Sequence, residues 1–352
     1  MTLPPLQFQR ILLAWFDKHG RKSLPWQLNK TPYRVWISEI MLQQTQVSTV
    51  IPYFERFIQR FPDLQTLANG HENDVLYLWA GLGYYSRARN LHCAAKLMLE
   101  KHHGEFPSSL QELVALRGIG PSTAGAILAI AFNQPATILD GNVKRVLARL
   151  HGIEGPINTK LTENSLWKLA ILYTPQKRVA DYTQAMMDLG ATLCTRSEPA
   201  CHSCPFMNRC IAYEQGLVKT IPAKKASQKI PTRSATFLIF KHKKHILLHK
   251  RPPNGIWGGL YSLPEIAGLP ESASISNLCQ AMFKQSGKPY EVLASFRHTF
   301  THYHLDIFPV MLEIKKIPLK NMEDGKQIWY NLHHPDPVGL PKPIQTILRG
   351  LL

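Results

Sequence analysis

The chain has 352 residues, with 41 lysines and arginines against 24 aspartates and glutamates and a net charge of +17 at pH 7. Its length suits two domains, and its 45% hydrophobic and 18% charged content excludes a disordered or fibrous chain. No apolar run approaches the ~20 residues of a membrane span and no basic-then-apolar leader opens the sequence, so a cytoplasmic protein without a membrane partner is expected; the cation surplus favours an anionic partner, nucleic acid above all.

Up to about residue 218 apolar residues recur at helical spacing. The pattern predicts helices over Phe8–Phe16, Tyr33–Leu42, Ile51–Phe61, Asn90–Leu99, Leu110–Leu116 and Val143–Leu150. Thr31-Pro32 reads as an N-cap followed by proline at the first helical position, and Ser108-Ser109 open the helix before LRGIGPSTAG. In PYRVWISEIML, Glu39 shares a helical face with Val35, Trp36 and Leu42. A carboxyl there is desolvated and tends to keep its proton, which suits a general acid; the alternative is a buried structural group. Gly81 and Gly83 allow a tight turn that presents Tyr84 at a surface, the alternative being a core tyrosine. Arg87, Arg89 and Lys144 are candidate phosphate contacts, or plain solvated charges.

In LRGIGPSTAG, Gly118 and Gly120 permit a turn that side chains would obstruct, and Pro121 begins a helix headed by Ser122. Free N–H groups at that helix start make a phosphate site indifferent to base identity, while Gly125 and its alanine neighbours allow two helices to approach closely. Asp140, in TILDGNVKRVLARL, falls at another helix start, where N–H groups and the helix dipole favour its anion. One carboxyl kept near protonation and one kept charged is the arrangement for acid-assisted cleavage of a glycosidic bond; a plain N-cap is the alternative for Asp140. Cys194, Cys201, Cys204 and Cys210 form C-x6-C-x2-C-x5-C. Four thiols in one loop of a reducing compartment point to metal, and the spacing alone leaves zinc and an iron–sulfur cluster both open.

Residues 219–232, KTIPAKKASQKIPT, read as an exposed linker. Beyond them Thr236–Phe240, His245–His249 and Leu305–Ile314 are strand-like, and Ile275–Gln285 and Ile344–Leu351 are helical. The expected organisation is therefore a mainly α domain over 1–218, a linker, and a smaller α+β domain over 233–352. His298, His302 and His304 could suggest a metal site, which is the lesser reading of this stretch.

The hairpin LRGIGPSTAG, the downstream ILDGNVKRVLAR and the four-cysteine loop, in that order, resemble the helix–hairpin–helix DNA glycosylases that carry a [4Fe–4S] cluster. LPWQ at 24–27, SEIMLQQTQV at 38–47, GLGYYSRARN at 81–90 and QAMMDLGATLC at 184–194 resemble the MutY branch of that family, the adenine DNA glycosylases, and the likeness spans nearly the whole chain. The resemblance implies that Glu39 protonates adenine, that Asp140 stabilises or briefly bonds the cationic sugar, and that Asn142 helps orient the site. It implies that Gln184 contacts an adenine flipped out of the duplex, that Gln44 and Tyr84 push into the base stack, and that the hairpin with Gly118, Gly120 and Ser122 holds the DNA. The four cysteines would hold a structural [4Fe–4S] cluster.

By the same resemblance the second domain is a MutT/Nudix-like module that reads 8-oxoguanine, with Phe300-Thr301-His302 in place of the family's Phe-Ser-His loop. It lacks the helical glutamate cluster of a working Nudix hydrolase, so recognition without hydrolysis is expected. Strand-cutting relatives carry a lysine where this chain has Ser122, and a hydroxyl cannot form their Schiff base. The implied activity is therefore removal of adenine opposite 8-oxoguanine or guanine in double-stranded DNA by a monomer. Two alternatives are a pyrimidine-lesion glycosylase of the endonuclease III type and a non-catalytic binder of damaged DNA.

Overall fold

The computed structural model describes residues 3–223, 230–283, 290–315, 317 and 326–352. The chain divides into two compact units, one of residues 1–69 with 90–227 and one of 70–89 with 228–352. Among the described residues no helix is long and apolar enough to cross a membrane.

The first unit is helical: α1 (Pro5–His19), α2 (Pro25–Leu28), α3 (Pro32–Leu42), α4 (Val47–Arg60) and α5 (Leu64–Asn69), then, past a segment belonging to the second unit, most of α7 (Ser86–Lys101), α8 (Leu110–Ala115), α9 (Pro121–Ala131), α10 (Gly141–Leu150), α11 (Lys160–Tyr173) and α12 (Val179–Asp188). A π-helical turn, Leu189–Leu193, prolongs α12 towards the cysteine loop, and α13 (Ile211–Glu214) follows that loop. The caps form as the sequence predicts: the hydroxyls of Thr31 and Ser109 accept from the N–H groups of Arg34 and Glu112. Phe8 and Leu12 of α1, Val146 and Leu147 of α10, Tyr173 and Phe206 meet in one core. Three of its rings and that of His151 lie nearly parallel in a row, with centroids 4.8 Å apart for Phe206 and Phe8, 4.2 Å for Phe8 and Tyr173, and 5.5 Å for Tyr173 and His151.

The second unit is a mixed sheet with the main strand order β3-β2-β1-β7-β5; β4 pairs with β1, β6 with β7, and β8 with β2. The strands are β1 (Thr232–His242), β2 (His245–Lys250), β3 (Tyr261–Ser262), β4 (Glu265–Ala267), β5 (Tyr290–Val292), β6 (Phe296–Thr299), β7 (His304–Glu313) and β8 (Gln327–Asn331). β1 and β7 run parallel, Thr236 facing Phe308 and Leu238 facing Val310, and the other pairs are antiparallel. α14 (Ser272–Phe283) packs Ile275, Cys279 and Phe283 onto Leu238, Phe240, Leu247 and Trp329. α15 (Lys342–Arg349) closes the chain.

One expectation is corrected here. The predicted linker 219–232 is folded at both ends: Ile221 is buried in the helical core, its carbonyl accepts from Arg149 Nε at 2.8 Å, and Thr232 already belongs to β1. Residues 224–229 lie outside the described residues, as does Gln285 at the end of the helix predicted over 275–285. Residues 70–89 interrupt the first unit along the chain and pack with the second. α6 (Glu72–Trp79) lies there against two glycines: a Cβ on Gly259 would stand 3.0 Å from Leu76 Cδ1, and one on Gly339 3.1 Å from the Leu76 carbonyl carbon. Lys250 Nζ also donates to Asn73 Oδ1 at 2.7 Å.

Candidate active site

Helix α3 carries Glu39 and α10 begins at Asp140. The first is positioned by Val35, Trp36 and Ile40, which bury their side of α3. The second is positioned by close packing beneath it: a Cβ on Gly125 of α9 would lie 2.2 Å from the carbonyl oxygen of Thr137. Gly125 thus admits the extended segment leading into Asp140, not a second helix as the sequence suggested. Ser122 of α9 acts on the same segment, its hydroxyl accepting from the N–H of Leu139 at 3.0 Å.

The two carboxyls sit close enough to feel each other's charge. Burial, and then repulsion from Asp140, raise the Glu39 carboxyl from 4.5 to about 8, so it carries a proton at neutral pH. Asp140 is the N-cap that its position predicts: Oδ1 accepts from the Val143 N–H at 2.8 Å, and Oδ2 from Asn142 Nδ2 at 3.3 Å. Its carboxyl is nevertheless raised rather than held low. Burial outweighs the Val143 N–H, the Arg145 charge and the Asn142 donors, all of which pull the other way. The donors aimed at Asp140 favour its anion and offset part of that burial, whereas burial and the Asp140 charge both favour the proton on Glu39. A carboxyl that keeps its proton beside one surrounded by donors is the pairing that a leaving group and a developing cation require.

Asn142 is held in turn. Arg145 Nη2 donates to Asn142 Oδ1 at 2.9 Å and to the Gly190 carbonyl at 2.7 Å, while Arg145 Nε donates to the Cys194 carbonyl at 2.7 Å. With its oxygen occupied by Arg145, Asn142 presents its NH₂ to Asp140. Gly190, in the π-helical turn, stands where a Cβ would lie 2.5 Å from Asn142 Cβ. Neither Arg145 nor Gly190 stood out in the sequence, because their roles depend on contacts about 45 residues apart in the chain.

Gln184, on α12, donates from Nε2 to Asp188 Oδ1 at 2.9 Å. Asp188 is 1% exposed and also accepts from Arg21, through the backbone N–H at 2.8 Å, Nε at 2.9 Å and Nη2 at 2.6 Å. A carboxylate only accepts, so the amide nitrogen of Gln184 faces Asp188 and its oxygen is left as an acceptor. Arg21 and Asp188, which hold the Gln184 amide, were passed over by sequence patterning; an aspartate near the C-terminal end of a helix, against the dipole preference, was the available signal.

Gly118 adopts φ +84°, and the helix after it starts at Gly120 without a side-chain cap. Gln44 and Tyr84 are both exposed and both left-handed, at φ 58° and 47°. Strain of this kind in non-glycine residues is concentrated at functional sites. The proposed phosphate contacts fare differently. Arg87 is buried and donates to the carbonyls of Leu82 and Gly83, with its guanidinium over Trp79 and Tyr84. Arg89 donates to the Gly258 carbonyl. Lys144 is paired with Glu163 at 2.6 Å. All three cations are engaged with protein groups.

The four cysteines are half-buried. Burial raises the thiols of Cys201, Cys204 and Cys210, Cys204 to about 12, and each also feels the charge of the neighbouring cysteines. Among the described residues no three metal-binding side chains stand close enough to share a single ion. Arg149, 3% exposed, ties the loop to α10: Nη1 donates to the Thr195 carbonyl at 2.7 Å and to Cys194 Sγ at 3.4 Å, and Nη2 to the Arg196 carbonyl at 3.2 Å. Arg196 and Arg209 are exposed.

In the second unit the Phe300-Thr301-His302 turn is closed by the Phe300 N–H donating to the Tyr303 carbonyl at 2.9 Å. Thr301 and His302 are exposed at its tip, whereas the Phe300 ring packs on Tyr303 at 4.6 Å and on Trp257 at 5.4 Å. Glu265 is bound by Arg251 at 2.8 Å, and α14, SASISNLCQAMF, contains no carboxylate.

Residues 37–170 match the family model described as HhH-GPD superfamily base excision DNA repair protein, and residues 235–350 match that of the NUDIX domain. The chain is 41% identical over 350 residues to the adenine DNA glycosylase of Buchnera aphidicola subsp. Acyrthosiphon pisum, covering 97% of each chain. It is 34% identical over 365 residues to that of Rattus norvegicus, covering 87% of this chain and 70% of the relative. A thermostable thymine-DNA glycosylase of known structure shares the fold over 60% of this chain and 97% of its own, with a TM-score of 0.55 at 24% identity.

Proposed function

Given that the chain belongs to the adenine DNA glycosylases, within the HhH-GPD superfamily of base excision DNA repair proteins, we propose that it removes adenine paired with 8-oxoguanine or guanine in duplex DNA and leaves the strand uncut. The observation that carries this reading is the carboxyl pair: Glu39, raised so that it keeps its proton, beside Asp140, which accepts from the Val143 N–H and Asn142 Nδ2.

Adenine flipped from the stack brings its exocyclic amino group, a donor, to the Gln184 oxygen that Asp188 leaves free. Glu39 gives its proton to a ring nitrogen, so that the electron pair of the glycosidic bond leaves with a neutral base. The Asp140 carboxylate offsets the positive charge on the sugar or bonds to it transiently, and water then adds at the same carbon and loses a proton. Ser122 has no amine to form an imine with the sugar, so the chemistry ends there.

The donor set of the cysteine loop suits a [4Fe–4S] cluster: four half-buried thiols within one short loop, with the Arg149 guanidinium donating to Cys194 Sγ. Cys194, Cys201, Cys204 and Cys210 would hold it, and its contribution is to brace a loop that carries Arg196 and Arg209. The unpartnered start of α9, with Gly118 and Gly120, would receive a phosphate. Thr301 and His302 would meet the 8-oxoguanine, with the methyl of threonine added to the hydroxyl of the usual serine.

A single-turnover assay with 8-oxoguanine or guanine opposite each base in turn tests the reading. Adenine alone should be released, fastest opposite 8-oxoguanine, with no borohydride-trapped adduct. Glu39→Gln should bind the mispair yet release nothing; release at the wild-type rate would overturn the assignment.

A further inference from the structure

Tyr84 and the Phe300-Thr301-His302 turn are more than two hundred residues apart in the chain, yet a continuous set of contacts joins them within the second unit. Arg87 fastens the turn of Tyr84 by donating to the Leu82 and Gly83 carbonyls at 3.3 and 3.2 Å. Two residues on, Arg89 donates to the carbonyl of Gly258. Next to Gly258 stands Trp257, a non-glycine residue at φ 55° and 8% exposed, whose ring lies 5.4 Å from Phe300 and 5.9 Å from His298.

The loop that carries Gly258 and Trp257 is stiff. The Arg251 N–H donates to the Leu260 carbonyl at 2.8 Å, the Gly259 N–H to the Pro252 carbonyl at 3.1 Å, and Arg251 Nε to the Ile256 carbonyl at 3.0 Å. A Cβ on Gly258 would lie 2.3 Å from the Pro253 carbonyl oxygen, so only glycine fits there. Left-handed backbone at a large aromatic residue is costly and persists only where surrounding contacts over-determine it.

We propose that Arg89 and Trp257 are positioning residues that make Tyr84 and the Phe300-Thr301-His302 turn a single platform for reading 8-oxoguanine. The proposal rests on the reading of that turn given above. It reassigns Arg89 from the phosphate backbone to specificity: its guanidinium fixes where the Tyr84 turn sits relative to the Trp257 ring on which Phe300 rests.

The test is single-turnover adenine release by the full-length protein from duplexes carrying 8-oxoguanine:adenine and guanine:adenine, for wild type, Arg89→Leu, Arg89→Lys, Phe300→Ala and the Arg89→Leu/Phe300→Ala double variant. Loss of a hydrogen bond to a charged group predicts that Arg89→Leu loses about tenfold of the preference for 8-oxoguanine while still processing guanine:adenine, which also reports that it folds. Arg89→Lys should regain part of that preference, and the double variant should lose no more than the worse single one. If wild type shows no preference for 8-oxoguanine, the reading of the turn fails and the platform with it. If wild type has the preference but Arg89→Leu keeps it, or both substrates weaken equally with the salt slope reduced by about 1 as for a lost phosphate contact, the platform alone is overturned.

Discussion

Replacing Glu39 by glutamine removes the acid and should also stabilise the fold, by an amount set by pH. In the unfolded chain the carboxyl titrates at its ordinary 4.5, and in the folded protein burial and Asp140 raise it to about 8. Between those values the native state binds one proton more than the unfolded state, so stability falls as pH rises, by about 1.4 kcal/mol per pH unit. Below 4.5 both states are protonated and the group contributes nothing to the slope. By pH 7 the cost has reached about 3 kcal/mol, and it levels off near 5 kcal/mol above pH 8; the solvent access that Glu39 retains makes these upper figures. Glutamine has a similar shape and no proton to lose, so Glu39→Gln should gain up to about 3 kcal/mol at pH 7 relative to its difference from wild type at pH 4. Urea unfolding followed by far-ultraviolet circular dichroism at several pH values reads this directly, the helical unit supplying most of the signal. A stability difference that stays constant across pH would refute the placement of a protonated carboxyl at residue 39.

The same raised carboxyl predicts that adenine release falls as pH rises through about 8, where Glu39 loses its proton, while binding of the duplex by Glu39→Gln shows no such step; rate against pH under single turnover checks it. Gly125→Ala should cost several kcal/mol in a urea melt, because the added Cβ meets the Thr137 carbonyl oxygen at 2.2 Å and the segment before Asp140 has nowhere to go. Asp188→Asn should weaken discrimination for adenine about tenfold, since an amide offers Gln184 a second orientation and leaves Arg21 without its carboxylate. Arg149→Met should speed release of iron to a chelator, followed by visible absorbance, by removing the donors that seat the Thr195 and Arg196 carbonyls; an unchanged rate would remove Arg149 from the bracing of the loop.

What the sequence made legible is what local rules govern. Glu39 could be found because one apolar helical face carries one carboxyl, and Asp140 because a helix start wants a short acceptor; both rules act within four residues. The state of Asp140 was not legible in the same way. Its local donors favour the anion, as position predicts, and burial by distant segments then reverses the net shift. The cations illustrate the limit most plainly. A run such as YYSRARN marks Arg87 and Arg89 as basic, but whether a guanidinium meets phosphate or a carbonyl depends on chain that arrives much later: Gly258 lies 169 residues beyond Arg89. The packing of residues 70–89 with the second unit was hidden for the same reason, since helical periodicity states that Leu76 and Trp79 must be covered and is silent on what covers them. Polar positions are therefore the least readable from sequence. An apolar side chain needs only a dry neighbour of suitable size, whereas a charged one needs a particular partner at a particular angle. For this chain that difference separates Glu39, whose apolar helical face is readable from its own helix, from Arg145, Asp188 and Arg89, whose partners arrive only when the fold closes.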